Sequence, residues 1–343
     1  MHKPSVASRW FTINVRMGEM QTYEEISILP LFITRIEGPT YVSLKAGIQK
    51  GLIITEIGQE GTVPLLKAHN PTDSHVLIID GEELSGAKQN RVLNTTLLVQ
   101  AGASIEIPVS CTEQGRWRWH SRRFEDSNVL MAPAMRRRKN ESVFESLKHR
   151  GRYDSNQMQV WDDIAHYSRA HHAFSETRAM KAVVEEKRFD WKPYTDAFAC
   201  QEGQCGMIAL IRGNVVSLEL VSRPDVYRDI HEKMIVSLIM DIPFWKPASQ
   251  GETAQDVEIF LRYFYEAKEE TFPAVGAGTD LRYKEHHLIG SALVVENWVV
   301  HLALYHQSNH HSSFHPDHDR SSYPSYDDFG PVRRRALRPK PPL

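Results

Sequence analysis

The side chains with the most directed chemistry lie between Asp80 and Arg123. The run Asp80-Gly81-Glu82-Glu83-Leu84-Ser85-Gly86-Ala87-Lys88-Gln89-Asn90-Arg91-Val92-Leu93-Asn94 gathers adjacent carboxylates, a lysine, side-chain amides and a guanidinium. Glu82 and Glu83 can serve as a general base or hold a metal, and Lys88 can act as a point charge or a nucleophile. Arg91 can contact phosphate through two donors. The amides of Gln89, Asn90 and Asn94 suit a sugar hydroxyl or a base edge, and Gly81 and Gly86 permit close backbone approach. The plainer alternative pairs Glu82 with Lys88 or Arg91 on a solvated surface, worth about 0–1 kcal/mol.

The following run, Val109-Ser110-Cys111-Thr112-Glu113-Gln114-Gly115-Arg116-Trp117-Arg118-Trp119-His120-Ser121-Arg122-Arg123, interleaves aromatic rings with arginines. Trp117 and Trp119 offer faces for a stacked ring, while Arg116, Arg118, Arg122 and Arg123 offer forks for phosphate oxygens. Glu113 joins Glu82, Glu83 and Lys88 as the expected catalytic set. Gln114 joins Gln89, Asn90, Arg91, Asn94, Arg116, Trp117, Arg122 and Arg123 as the expected ligand-binding set. In the alternative, this is a strand whose tryptophans enter the core while the arginines reach outward. Cys111 can be a nucleophile with His120 or another histidine as base if nearby arginines lower its pKa, but a lone cysteine ending an apolar strand is more often a small core residue.

Other candidates are weaker. His286, His287 and His301 flank or enter an apolar strand, and His301, beside Val299 and Val300, reads as a hydrogen-bonded core residue. Gly276 and Gly278 in AVGAGTDLR hint at a phosphate-binding turn without the strand-turn-helix setting or third glycine of a dinucleotide fingerprint. The P-loop, HExxH, GxSxG, kinase and paired CxxC signatures are absent, so no common named mechanism is supported. No metal ligands are assigned, and the residues name no cofactor.

The elements that must position these groups begin with short apolar runs from Ile26 to about Val109, among them ISILPLF, LIITEI, VLIID and IEIPVS. Their lengths predict strands. The breaks at Glu60-Gly61, Asn70-Pro71, Asp80-Gly81 and Ala101-Gly102 predict turns and an antiparallel, sandwich-like region. The polar run from Asp80 to Asn94 reads as a loop between core strands. TYVSLKAGIQKGL predicts one short helix ending at Gly51. Arg116 to Asn140 carries the strongest charge bias, with Arg136, Arg137, Arg138 and Lys139 added to the earlier arginines. A helical segment bent at Gly151 is expected to follow. MIALIRGNVVSLELV and SALVVENWVVHLALY predict two hairpins enclosing two helices, PDVYRDIHEKMIVSLIMDI and QDVEIFLRYFYEAKEE.

The expected fold class is α+β: a strand-rich antiparallel N-terminal part, a central helical segment, and C-terminal hairpins with two helices. Residues 1–23 read as a loose leader and 24–306 as one α+β unit, divided near 115 and 200. Residues 307–343, with His310, His311, His315, His318 and the run Arg333 to Arg335, read as a disordered tail. Its histidines can bind a divalent metal only without fixed geometry.

The chain has 41 Lys and Arg against 43 Asp and Glu, a net charge of -2, so affinity for phosphate must come from local clusters. Hydrophobic residues at 41% place it among globular proteins. Three cysteines without a CxxC pair favour a reducing compartment and a cytoplasmic location, and no apolar run reaches the roughly 20 residues of a membrane span.

GEELSGAKQNR at Gly81 to Arg91, the IPVSC and EQGRW pieces between Ile107 and Trp117, and SRRF after them resemble a bacterial family, the ADP-ribosylglycohydrolase and rhodanese/phosphatase-superfamily-associated proteins. MIALIRGNVVSLEL and GSALVVENWVVHLALY extend the resemblance, which covers roughly Leu29 to Tyr305. The family is named for genomic company. The resemblance implies NAD, ADP-ribose or phosphorylated-nucleotide processing. It agrees with the residue-level expectation of a phosphorylated, nucleotide-like small molecule as partner, with single-stranded RNA as a further one. Two functions follow: an enzyme of such a ligand, or a non-catalytic module that binds it through the same arginines and tryptophans.

Overall fold

The computed structural model describes residues 5–58, 64–248 and 253–307, the last span with backbone alone at 253–255. The expected turn at Glu60-Gly61 and the histidine-rich tail beyond Gln307 lie outside the described residues. The chain opens with α1 (Val6–Asn14), capped by the Ser5 hydroxyl, then β1 (Val15–Met17), β2 (Gln21–Tyr23) and β3 (Ile26–Ile33). This corrects the loose leader. Trp10 and Phe11 are buried in the core, and Trp10 meets Trp298 edge-on at 5.1 Å between ring centres. Burial of two such rings outweighs the low apolar content that made the segment look unanchored.

Next come β4 (Tyr41–Ser43), α2 (Leu44–Lys50), β5 (Ile53–Glu56), β6 (Leu65–His69), β7 (His75–Ile78), β8 (Glu82–Gly86), β9 (Arg91–Leu93), β10 (Leu97–Val99), β11 (Ser104–Cys111) and β12 (Phe124–Leu130). α2 stops at Gly51, as its sequence predicts, and starts at a Ser43 cap. The strands close into a six-stranded barrel in the order β11-β6-β5-β12-β8-β9, beside a three-stranded sheet β10-β7-β4. Closure replaces the expected open sandwich and removes free strand edges. Ile54, Leu66, Leu84, Leu93, Ile107 and Phe124 belong to one buried cluster there.

Three helices follow: α3 (Pro133–Arg150), α4 (Gln157–Ala170) and α5 (Met180–Ala197). Gly151 does not bend a continuous helix. It ends α3 in the left-handed region at φ 64°, and Asn156 caps a new helix. The C-terminal part contains β13 (Gln204–Ile211), β14 (Asn214–Val221), α6 (Pro224–Asp241), α7 (Thr253–Glu266), β15 (Glu269–Pro273), β16 (Thr279–Glu285), β17 (Leu288–Val295) and β18 (Trp298–His306). Both predicted hairpins form. Their two-residue turns, Arg212-Gly213 and Glu296-Asn297, have positive φ throughout, which matches the twist of the strands.

These strands build a nine-stranded antiparallel sheet, β1-β3-β13-β14-β18-β17-β16-β15, with β2 also on β3. β15 and β16 are an additional hairpin, and Gly276 and Gly278 lie in its connection, so AVGAGTDLR is a strand connection and not the start of a helix. Phe260 and Phe264 of α7 join Trp10 and Phe11 of α1 against Leu218, Leu220, Leu302 and Leu304. By strand alternation Glu219 points to the opposite face, where Arg136 of α3 pairs with it. No helix among the described residues is long and apolar enough to cross a membrane.

Candidate functional site

The run from Asp80 to Asn94 is a buried hairpin, not a solvated loop. β8 pairs with β9 at Glu83↔Val92 and Leu84↔Arg91, while β12 flanks β8 and β11 flanks β9. The residues are polar because the hairpin closes a barrel whose outer side is packed under helices, and most of its buried polar side-chain atoms find a partner there, Glu83 Oε2 and Arg91 Nε being exceptions. Neighbouring strand residues face opposite ways, so Glu82 and Glu83 part company.

Glu82 is 1% exposed and accepts from the Ile79 amide at 2.8 Å and from the Lys233 ammonium. Lys233, on α6, also reaches Asp126 Oδ2 at 3.1 Å. Burial works against the charge on Lys233, but the two carboxylates outweigh it and hold the ammonium protonated. Two carboxylates share one cation, and burial, with the Asp126 charge close by, raises the Glu82 carboxyl despite Lys233. Glu83 is fully buried and accepts from Thr112 Oγ1 at 2.5 Å. Burial pushes its carboxyl up to about 7.

Beyond β8 the hairpin meets the loop that precedes β12. A Cβ at Gly86, where φ is 132°, would lie 2.6 Å from the Arg123 carbonyl oxygen, so only glycine lets the two segments close. Arg116 then spans them. Its Nε donates to Glu113 Oε2 at 2.8 Å, and its terminal nitrogens donate to Ala87 O at 2.9 Å and Asn90 Oδ1 at 3.0 Å. Burial raises the Glu113 carboxyl, but Arg116 and Thr177 outweigh it and hold it below its ordinary value. Gln89 donates to the Glu113 carbonyl at 2.7 Å. The Lys88 ammonium sits 5.4 Å from the Trp117 ring centre and 5.2 Å from that of Trp119, within cation–π reach of both. Those indoles are 53% and 50% exposed, so they are not the inward-facing core residues of the alternative reading. Arg118, Arg122 and Arg123 are exposed, and their side chains make no hydrogen bond or ion pair with the described residues.

The structure therefore brings Lys88, Gln89, Asn90, Glu113, Arg116 and Trp117 together, with Arg122 and Arg123 on the same loop. Others lie apart. Glu82 turns to α6, and Asn94 donates to the Tyr153 carbonyl at 2.9 Å. Gln114 accepts from Arg178 at 3.0 Å. Arg91 does reach the group, donating to Gln89 at 2.7 Å and lying 5.7 Å from the Trp117 ring centre, but it is 0% exposed and its guanidinium also donates to Cys111 Sγ at 3.0 Å and Glu56 at 3.4 Å. Burial pushes the Cys111 thiol up despite Arg91, so it lacks thiolate character. His301 is buried with Nδ1 2.9 Å from Thr96 Oγ1, as its apolar strand predicts. Among the described residues no group of three or more His, Cys, Asp or Glu side chains is placed to hold a metal.

The family model of the ARG and Rhodanese-Phosphatase-superfamily-associated Protein domain, ARPP-1, matches residues 14–305. The chain belongs to this family. No curated protein and no solved structure matches the chain. The match begins ahead of Leu29 and takes in β1 to β3, in keeping with their place in the large sheet.

This ARPP-1 domain also holds charges that the reading of residue types passed over. Asp80 meets Lys139 and, at 2.7 Å, the Asn140 amide, while Arg136 pairs with Glu219. Arg282 donates to Asp280 at 2.7 Å, Asn140 at 2.6 Å and Thr95 at 2.6 Å. All of these are buried. Lys233, next to Glu232 in HEKMIVSLIM, gave no signal; the one available was a lone charge in an apolar run, as Glu219 is in VVSLELV. Such residues are almost never fully buried unless paired.

Proposed function

We propose that the Trp117–Trp119 loop binds a phosphorylated, ring-bearing ligand of the nucleotide class, of which ADP-ribose and NAD are the first candidates, and that it acts as a binding module. The observation that carries this reading is two half-exposed indoles over Lys88, on one loop with the unpaired Arg118, Arg122 and Arg123. Indole faces take a purine or nicotinamide ring and free guanidinium groups take phosphate. The ARG part of the family name, read as ADP-ribosylglycohydrolase, supports the same ligand class. Binding is favoured over catalysis because Glu82 and Glu83 are 1% and 0% exposed, so neither can touch a substrate unless the hairpin opens.

The test is calorimetric titration with ADP-ribose, NAD, AMP and a single-stranded RNA oligonucleotide, alongside product analysis. The expected result is saturable binding that Trp117→Ala and Trp119→Ala weaken, with ligands recovered intact. Turnover abolished by Glu82→Gln sinks the binding-module reading in favour of an enzyme. Failure of every ligand to bind at millimolar concentration sinks both.

A further inference from the structure

On the α6 side of the hairpin, away from the residues assigned above, lies an open groove of about 480 Å³. That volume falls in the range of about 300–1,000 Å³ typical of small-molecule sites. Lys45 of α2, Arg188 of α5, Arg228 and Glu232 of α6, and Asp126 of β12 line it, with Asp229 accepting from Ser43 Oγ at 2.5 Å. Every lining residue is charged or polar, so the groove is not built for a greasy guest.

Its charges are sorted. Lys45, Arg188 and Arg228 come from three different helices, and none makes a hydrogen bond or ion pair with the described residues. They outnumber the rim carboxylates Asp229 and Glu232, so the rim favours an anion. The floor has the opposite sign. Asp126 is the open end of the buried group Glu82–Lys233–Asp126, in which two carboxylates meet one ammonium and Lys233 is 2% exposed. A register shift in β12 between Asp126 and Leu130, with Asn128 at φ 59°, bulges the strand at this point. Bulges of this kind re-aim side chains next to binding sites.

We propose that this groove binds a small zwitterion, whose ammonium meets Asp126 while its carboxylate or phosphate is held by Arg188 and Arg228. Asp126 already accepts from Lys233 and from the Asn128 amide, yet Glu82 and Asp126 together carry two negative charges against one ammonium; a simple anion would leave that surplus unused, and a simple amine would leave the arginines without a partner. The site is independent of the Trp117–Trp119 loop.

The experiment titrates the full chain with phosphoethanolamine and glycylglycine, and with inorganic phosphate and putrescine as half-ligands. At least one zwitterion is expected to bind about tenfold more tightly than either half-ligand, a difference that calorimetry resolves. Preference for phosphoethanolamine assigns the anionic end to a phosphate, and preference for glycylglycine to a carboxylate. The double variant Arg188→Ala/Arg228→Ala should keep the wild-type melting temperature, because both side chains are exposed and unpaired, and should lose about tenfold in affinity. Trp117→Ala should leave this binding unchanged, which separates its failure from that of the nucleotide reading. Absence of zwitterion binding at millimolar concentration, equal binding by phosphate alone, or binding that survives the double substitution overturns the proposal.

Discussion

Arg136 and Lys139 at the start of α3, and Arg118, Arg122 and Arg123 in the loop before β12, belong to one basic stretch of sequence, yet they meet opposite fates. The first pair is buried among Asp80, Glu219 and Asn140. The loop arginines stay exposed, and their side chains have no partner among the described residues. A buried cation is committed, because removing it strands the carboxylate it faces. An exposed, unpaired one is available to a ligand at little cost to the fold. Availability to bind therefore follows from what each charge already touches, not from local charge density.

The comparison can be broken most forcefully at Arg136. Arg136→Ala should cost about 3–5 kcal/mol in urea unfolding, since Glu219 and Asp80 lose a buried partner, whereas Arg118→Ala should stay within about 0.5 kcal/mol. Similar costs for the two would erase the distinction.

Glu83 sharpens it through pH. Its folded pKa of about 7 lies above the ordinary 4.5, so between those values the native state holds a proton that the unfolded chain has released. Stability from this group is full below pH 4.5 and is lost as pH rises toward 7. Asp163, raised to about 7, and Asp241, raised to about 6, act in the same direction. Glu83→Gln, which mimics the protonated carboxyl, should flatten this fall by an amount on the order of 3 kcal/mol. Denaturation at several pH values gives the slopes, and an unchanged slope would remove Glu83 as its source.

Smaller effects are expected at the loop. Trp117→Ala or Trp119→Ala should weaken nucleotide binding by about 1–3 kcal/mol, the worth of one stacked base, with the melting temperature unmoved. Arg122→Ala should do least. If single-stranded RNA binds, the logarithmic salt slope should fall by about 0.7 for the one phosphate contact removed, and an unaltered slope would exclude Arg122 from the contact.

Much of the architecture was legible in the sequence. Turn residues at Arg212-Gly213-Asn214 and Glu296-Asn297 between apolar runs announced both hairpins, and α2 declared itself through the helical spacing of Tyr41, Leu44 and Ile48 and through Gly51. The loop–hairpin junction was legible in part: Lys88, Glu113, Arg116 and Trp117 do meet. What stayed hidden were pairings across long stretches of chain. Lys233 lies 151 positions from Glu82, and no local period links them. Polar residues from Asp80 to Asn94 imitate a loop, because sequence records polarity but not whether the partner is water or protein.

The buried charges around α3 carry one more consequence. Asp80, Arg136, Glu219, Asp280 and His301 arrive from the barrel, the central helix and three strands of the large sheet. A fragment ending before β14 would keep Arg136 without Glu219, and one beginning after α3 would keep Glu219 without Arg136. Neither half can balance its interior alone, so barrel and sheet should unfold in a single cooperative transition. A cut between them would be tolerated only if the two pieces reassociate.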